Sequence, residues 1–487
     1  MTPLQHWAYD SDTWLHSSGC SRAVRRPAAA LITRPRITHR NHYRSNIVLL
    51  TVSYFGRRWE QSKFGAPRRL TLLARGSAPG KRPDMQDGAF EGVRVVELAQ
   101  WVFVPVAGAL LADWGADVVR VERLEGDPYR GLATQGIGTD RGGVNLSVAL
   151  ANRGKRSVTL NLRHEQGLAA LHVLLSSADV FLTSLRPGAL VRLGLDTDTV
   201  RQRYPKLIYA RGHGFGARGP DADQAGYDGS AFWARGGLAH ILTPAEHDYP
   251  ISQRGAMGDR NAAMALAFGI AAALLKRART DTGSVVDVSL LATAMWTLSS
   301  DLLAVLNGGK AQPARGRSLQ VNPLVGSYRT KDGRHVQLMF LQADRYWPDF
   351  CELVGRADLA ADSRFADMAA RRANNAEFIA VLDEVFSQRS FSEWKELLAG
   401  LDAPWAPVQA VAEVVDDPQV VANDYIGEVT LDDGTAYRLP AVPVQLDGRP
   451  APLRRAPEHG EHTEAVLLEL GYDWDRLSEL KDAGVIL

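Results

Sequence analysis

The sequence predicts an α/β protein in which a large domain built on a parallel sheet is followed by a smaller α+β domain. Three observations predict it. From residue 92 onward, strand-like and helical patterns alternate, and such units favour a parallel sheet. The first of them, Val93–Leu98, is a short apolar run that reads as a buried strand. After about residue 308 the rhythm gives way to hairpin patterns separated by short helices.

The elements follow in order. Helical patterning over Pro105–Trp114 comes after the first strand, with Gly115 suited to its C-terminal cap. Asp117–Glu122 returns as a strand and closes a βα unit. Ser157–Leu162, Asp179–Thr183, Leu207–Arg211 and Val285–Val288 read as further strands. Between them lie an amphipathic helix at Glu165–Ser177, a short one at Thr197–Tyr204 and a long apolar one at Asn261–Arg279. A helix around Leu290–Leu306 follows the last of these strands. Gly308–Pro323 is rich in Gly, Arg and Pro and reads as a linker or active-site loop. Tyr328–Phe340 is a hairpin turning at Lys331-Asp332-Gly333, and a second hairpin at 427–438 turns at Asp432-Asp433-Gly434. Short helices are expected at about 345–355, 375–388 and 391–400, and the tail carries two more at His462–Leu470 and Trp474–Ala483.

A chain of 487 residues with 45% hydrophobic and 23% charged residues can hold two domains with ordinary cores. A net charge of +1 points to neither nucleic acid nor a membrane. Ala262–Leu275, the longest apolar helical run, is too short to cross a bilayer and reads as a buried helix. Cys20 and Cys351 cannot by themselves make a disulfide framework or a zinc site, and a cytoplasmic location fits. Residues 1–84 hold 15 Arg and Lys against 4 Asp and Glu and lack sustained periodicity. Three readings stand for them: a start assigned too far upstream with Met85 the true beginning, a disordered basic arm, or a cleaved transit-type peptide.

Chemistry can sit in three places. Gly258-Asp259 directly precedes the Asn261 helix, where Asp is a preferred N-cap. A carboxylate there is also held ionised by the helix dipole, and an ionised carboxylate can attack an activated acyl group. Gly226-Tyr227-Asp228 follows the Gly-rich strand end at 211–216. Asp228-Gly229 suits an ordinary turn, yet a second acid could position a leaving carboxylate or shuttle a proton. Arg123, Lys155, Arg156, Arg163, Arg186 and Arg192 lie near strand ends, where open α/β sheets bind ligands, although scattered surface arginines are the ordinary case. No G-x-G-x-x-G follows a strand, there is no P-loop or G-x-S-x-G elbow, and the histidines lack metal-ligand spacing.

Residues from about 90 to 487 resemble the family III (class III) CoA-transferases. The carrying segments are GVRVVELAQ at 92–100, LLADWGADVVRVER at 110–123, NRGKRSVTLNL at 152–162, RPGALVRLGL at 186–195, YARGHGFGARGP at 209–220, GYD at 226–228, GAMGDRNAAMALAFGIAAALL at 255–275 and GEHT at 460–463. The resemblance implies a Rossmann-like CoA-binding domain over 85–310, a small α+β domain over 311–440, a segment over 441–487 returning to the large domain, and an interlocked homodimer. It implies that Asp259 attacks a donor thioester and passes through aspartyl-acyl anhydride and aspartyl-CoA intermediates, with acyl-CoA and a carboxylic acid as substrates and no permanently bound cofactor or metal. Carried over by motif, CoA contacts fall on Val102, Arg123, Leu160, Arg163 and Arg192, and the aromatic–acid pair near the reacting centre falls on Tyr227 and Asp228. The chain departs from the formyl-CoA transferase pattern at Val102, where that pattern has Gln, and this favours a bulkier apolar acyl group. The racemase branch has a His where this chain has Tyr227, and a phenol, with a pKa of about 10, is a poor base for an α-proton. The alternatives are a racemase or isomerase of the same family and a CoA-binding protein that lacks transferase activity or needs a partner subunit.

Overall fold

The computed structural model describes residues 88–132, 140–311, 316–317 and 320–487. The basic segment 1–84 lies outside the described residues, as do positions 312–315 and 318–319 of the expected active-site loop.

Six parallel strands form the main sheet: β1 (Arg94–Leu98), β2 (Asp117–Glu122), β3 (Arg156–Thr159), β4 (Val180–Thr183), β5 (Ile208–His213) and β6 (Val285–Ser289). Their order is β3-β2-β1-β4-β5-β6. Alternate residues along the strands face two separate cores. Val95, Val118, Leu182 and Ile208 pack on one face with the helices Phe103–Asp113 and Met257–Thr280. Val96, Val119, Phe181 and Tyr209 pack on the other with Glu165–Ser176 and the tail helices Thr463–Glu469 and Trp474–Asp482. A sheet covered on both faces accounts for the apolar runs in the sequence.

The predicted elements appear within a few residues of their expected ends, with instructive exceptions. The long helix starts at Met257 rather than Asn261, because Ala256 turns the chain in with φ 58°. It is not the buried helix the sequence suggested: Ala262, Ala263, Leu266 and Ile270 are buried, but Phe268 is 77% exposed. By length and composition it is the single described helix that could cross a membrane, which is weak evidence because core helices meet the same test. The helix expected around Leu290–Leu306 is two, Leu290–Thr297 and Ser299–Leu306.

A third core forms around the antiparallel strands β7 (Val325–Arg329), β8 (His335–Met339) and β9 (Trp405–Pro407), packed with Trp347, Phe350, Phe378 and Trp394. The second hairpin, β10 (Ile426–Thr430) and β11 (Ala436–Pro440), does not join that core. Its Val429, Tyr437 and Leu439 cluster with Ala149 of the helix Leu146–Asn152 instead. The tail returns to the main sheet along β3. His462 donates its N–H to the Ser157 carbonyl at 2.8 Å, and Thr463 Oγ1 accepts from Thr159 N–H at 3.0 Å. The tail thereby covers an edge strand that would otherwise be open to pairing.

Candidate active site

In this strand order the chain winds away from β1 in opposite directions on the two sides of β1 and β4, and a crevice opens beyond their carboxyl ends. A cavity of about 920 Å³ lies there, lined by residues 98–100, 121–127 and 160–165 together with Leu185, Ala189, Arg192 and Leu193. Arg123, Leu160, Arg163 and Arg192, four of the five residues matched to CoA contacts, all line it. The three arginines are exposed and Leu160 is buried. Arg123 Nε donates to the Gly126 carbonyl at 2.8 Å, which holds its stem against the turn after β2. Val102 is elsewhere. It sits in the first core, 7% exposed, directly before the Phe103–Asp113 helix and outside the cavity lining. Lys155 and Arg156 precede or open β3 rather than end it, and neither lines the cavity. Lys155 is buried against Glu97 at 2.8 Å, and Arg156 pairs with Asp117 and Glu469.

Asp259 is not an N-cap. It is the third residue of its helix and half-buried. The capping is done by Asp228, whose buried carboxylate accepts the Gly258 N–H at 3.1 and 3.2 Å. Asp228 opens a π-helical segment, Asp228–Ala234, instead of the expected turn. Gly258 is required at the contact: a Cβ there would meet Asp228 Oδ1 and Phe232 Cγ at 2.3 Å each. The strand-end glycine Gly214 meets Gly226 in the same way, a Cβ falling 2.8 Å from the Gly226 Cα.

The sequence reading has the helix dipole keeping Asp259 ionised, whereas the structure raises its pKa to about 7. Burial is the main cause, the negative charge of Asp228 adds to it, and Arg260 opposes it. With the Gly258 N–H already engaged by Asp228, a buried acid beside a like charge holds its proton more tightly. Such shifts concentrate at functional sites.

Three aromatic rings stand beside this pair. Tyr227 is 58% exposed and meets Trp101 edge-on at 5.4 Å. Trp101 also meets Tyr129 at 6.4 Å. Burial raises the Tyr129 phenol, Arg260 lowers it and Asp259 raises it further. Behind the rings lies a buried ionic cluster in which Arg120 pairs with Glu97, Glu122 and Asp127. Trp101, Tyr129, Arg260 and Asp127 were not singled out from sequence. The Gly126-Asp127 pair just past the end of β2 was the available signal. Among the described residues no group of three or more His, Cys, Asp or Glu is placed to hold a metal.

The family model for CoA-transferase family III matches residues 90–463. The chain belongs to CoA-transferase family III. It is 32% identical over 397 residues to the (R)-2-hydroxy-4-methylpentanoate CoA-transferase of Clostridioides difficile, spanning 81% of this chain and 99% of that one. It is 34% identical over 403 residues to the cinnamoyl-CoA:phenyllactate CoA-transferase of Clostridium sporogenes, spanning 82% and 97%. Among solved structures, a CAIB/BAIF family protein from Brucella suis superposes with a TM-score of 0.69 at 30% identity, covering 79% of this chain and all of that one. Enzymes of family III use CoA thioesters as substrates, and this family III chain is a CoA-transferase.

Proposed function

We propose that the enzyme moves CoA from an acyl-CoA to a free carboxylic acid with Asp259 as the nucleophile, CoA lying in the crevice of a Rossmann-like domain. The observation that carries this reading is a half-buried carboxylate at the mouth of a long helix, its backbone fixed by Asp228. An Asp259 oxygen attacks the thioester carbonyl; the C–S bond breaks and CoA leaves as thiolate. The thiolate then attacks the aspartyl carbonyl of the mixed anhydride and releases the donor acid, leaving an aspartyl-CoA thioester. The acceptor carboxylate attacks the aspartyl carbonyl of that thioester and expels thiolate, giving a second anhydride; the thiolate attacks its acceptor carbonyl, forming the acceptor's CoA ester and freeing the Asp259 carboxylate. Splitting one exchange into such steps is the gain of covalent catalysis.

Arg123, Arg163 and Arg192 meet the phosphates of CoA, and Leu160 floors the cavity. Asp228 positions the Gly258-Asp259 turn and raises the basicity of the nucleophile, and Tyr227 borders the acyl group. Val102 acts from the core, without direct contact. The two bacterial relatives are named for branched or aryl-bearing acids, which supports a bulky apolar acyl group here. CoA enters as substrate, with no resident cofactor in this reading. The division at 85–310, 311–440 and 441–487, a cytoplasmic location and a homodimer belong to the same reading. The exposed Phe268, Trp296 and Leu306 supply apolar surface for a second copy.

Incubation with an acyl-CoA panel and hydroxylamine tests it. A transferase yields an aspartyl hydroxamate at Asp259, and Asp259→Ala abolishes both adduct and turnover while still binding CoA. Turnover surviving in Asp259→Ala would assign the nucleophile elsewhere, and a wild-type chain that forms no adduct with any acyl-CoA would be a binding protein.

A further inference from the structure

We propose that Trp101 is a specificity-determining residue that selects acyl groups carrying an aromatic or comparably bulky apolar side chain, and that Asp127 is the positioning residue that holds it. The proposal deepens the reading of Asp259 as acyl acceptor and rests on it.

Trp101 adopts φ 70°. A bulky aromatic residue in that left-handed region is an outlier, and such strain persists only where the surroundings over-determine it. Of the five non-glycine residues with positive φ among the described ones, three are Asp, which tolerates it. Trp101 does not, and what holds it is visible. Its N–H donates to Asp127 Oδ2 at 3.1 Å, and the same carboxylate accepts the Tyr129 N–H at 2.9 Å. Asp127 is buried and is itself held by the fully buried Arg120. One anchored carboxylate therefore sets the backbone of two of the three aromatic residues.

The chain neighbours of the rings tie them to the cavity on one side and to Asp259 on the other. Trp101 follows Gln100, and Asp127 is two residues before Tyr129; both Gln100 and Asp127 line the cavity. On the other side Tyr227 precedes Asp228, whose carboxylate holds Gly258 beside Asp259. Tyr129 feels the charge of Asp259. The edge-on pairing of Trp101 with Tyr227 at 5.4 Å and Tyr129 at 6.4 Å joins the three rings into one aromatic cluster, bordered in the chain by cavity residues on one side and by Asp228 on the other. Rings in edge-to-face arrays favour a further ring placed against them, whereas a short acid fills none of that surface.

The test compares kcat/KM for 3-phenylpropionyl-CoA and acetyl-CoA. Wild type should prefer the phenylpropionyl ester. Trp101→Gly removes the ring while suiting φ 70°, so the fold is kept. It should cut the preference at least tenfold; Trp101→Phe should restore most of it, and Asp127→Asn should move the ratio in the same direction as Trp101→Gly. If Trp101→Gly lost its cooperative melt, Trp101→Asn would be read by the same ratio, since Asn also tolerates this backbone. A ratio within twofold of wild type in the ringless variant, or an equal fall for both esters, overturns the proposal provided wild type still forms its Asp259 adduct. Absence of that adduct in wild type would instead remove the reading beneath it, and the proposal with it.

Discussion

Asp259 is useful because two demands on it conflict. A nucleophile must be ionised, yet a strongly acidic carboxylate attacks thioesters poorly. Burial and Asp228 move its pKa to about 7, close to the pH at which both demands are partly met. The rate of adduct formation from acyl-CoA should therefore rise with pH through about 7 and level off above it, measured in a single turnover. Stability should run the other way. The folded pKa lies above the usual carboxylate value, so the fold favours the protonated form. That stabilisation is full below about pH 4 and is lost as pH climbs through 7. Asp259→Asn should accordingly melt higher than wild type at pH 8, by on the order of a few kcal/mol, with the gap closing toward pH 4. Arg123→Ala should raise KM for CoA esters about tenfold or more with little effect on kcat, because its guanidinium lies on the cavity rim and not at the nucleophile. A change confined to kcat would refute the role. The acid itself was legible in the sequence from its place before a long apolar run. Its raised pKa was not, since the second charge comes from a segment 30 residues from Gly258 in the chain.

The start of the long helix depends on a fit between two elements. The π-helical segment Asp228–Ala234 brings the Asp228 carboxylate and the Phe232 ring against Gly258. Gly258→Ala drives a methyl into both, so it should destabilise by about 1–3 kcal/mol in denaturant titration and lose activity with it. Helices such as Phe103–Asp113 and Glu165–Ser176 were readable because their apolar runs and caps are local signals. The helix Leu146–Asn152 was missed: it has seven residues, and part of its packing comes from the β10–β11 hairpin, far along the chain. The π-helical segment was missed for a similar reason, since its geometry is set by the docking of Asp228 on another helix. Val102 shows the converse. A motif position carried it to the site, but its side chain turns into the core.

The β3-β2-β1-β4-β5-β6 order joins these parts, placing the arginine-rimmed cavity at the carboxyl ends of β1, β2, β3 and β4. The alternation of strands and helices foretold a parallel sheet, but not its order, because lateral neighbours are chosen by long-range packing. The resemblance implied a tail returning to the large domain, but the same limit hid β3 as the strand it meets and the partner of the second hairpin. Apolar side chains left in the open, Phe268 at 77% and Trp296 at 82% exposed, place a further demand on the assembly. Light scattering should give twice the chain mass for wild type and the single chain mass for a Phe268→Asp, Trp296→Asp variant. The most direct test of the account follows an oxygen atom. Turnover with an acceptor acid labelled with heavy oxygen in its carboxylate should leave labelled oxygen in the Asp259 side chain, one atom after a single turnover, read as a mass gain on the peptide that contains it. A peptide of unchanged mass after many turnovers, or the label on another side chain, would contradict the role given to Asp259.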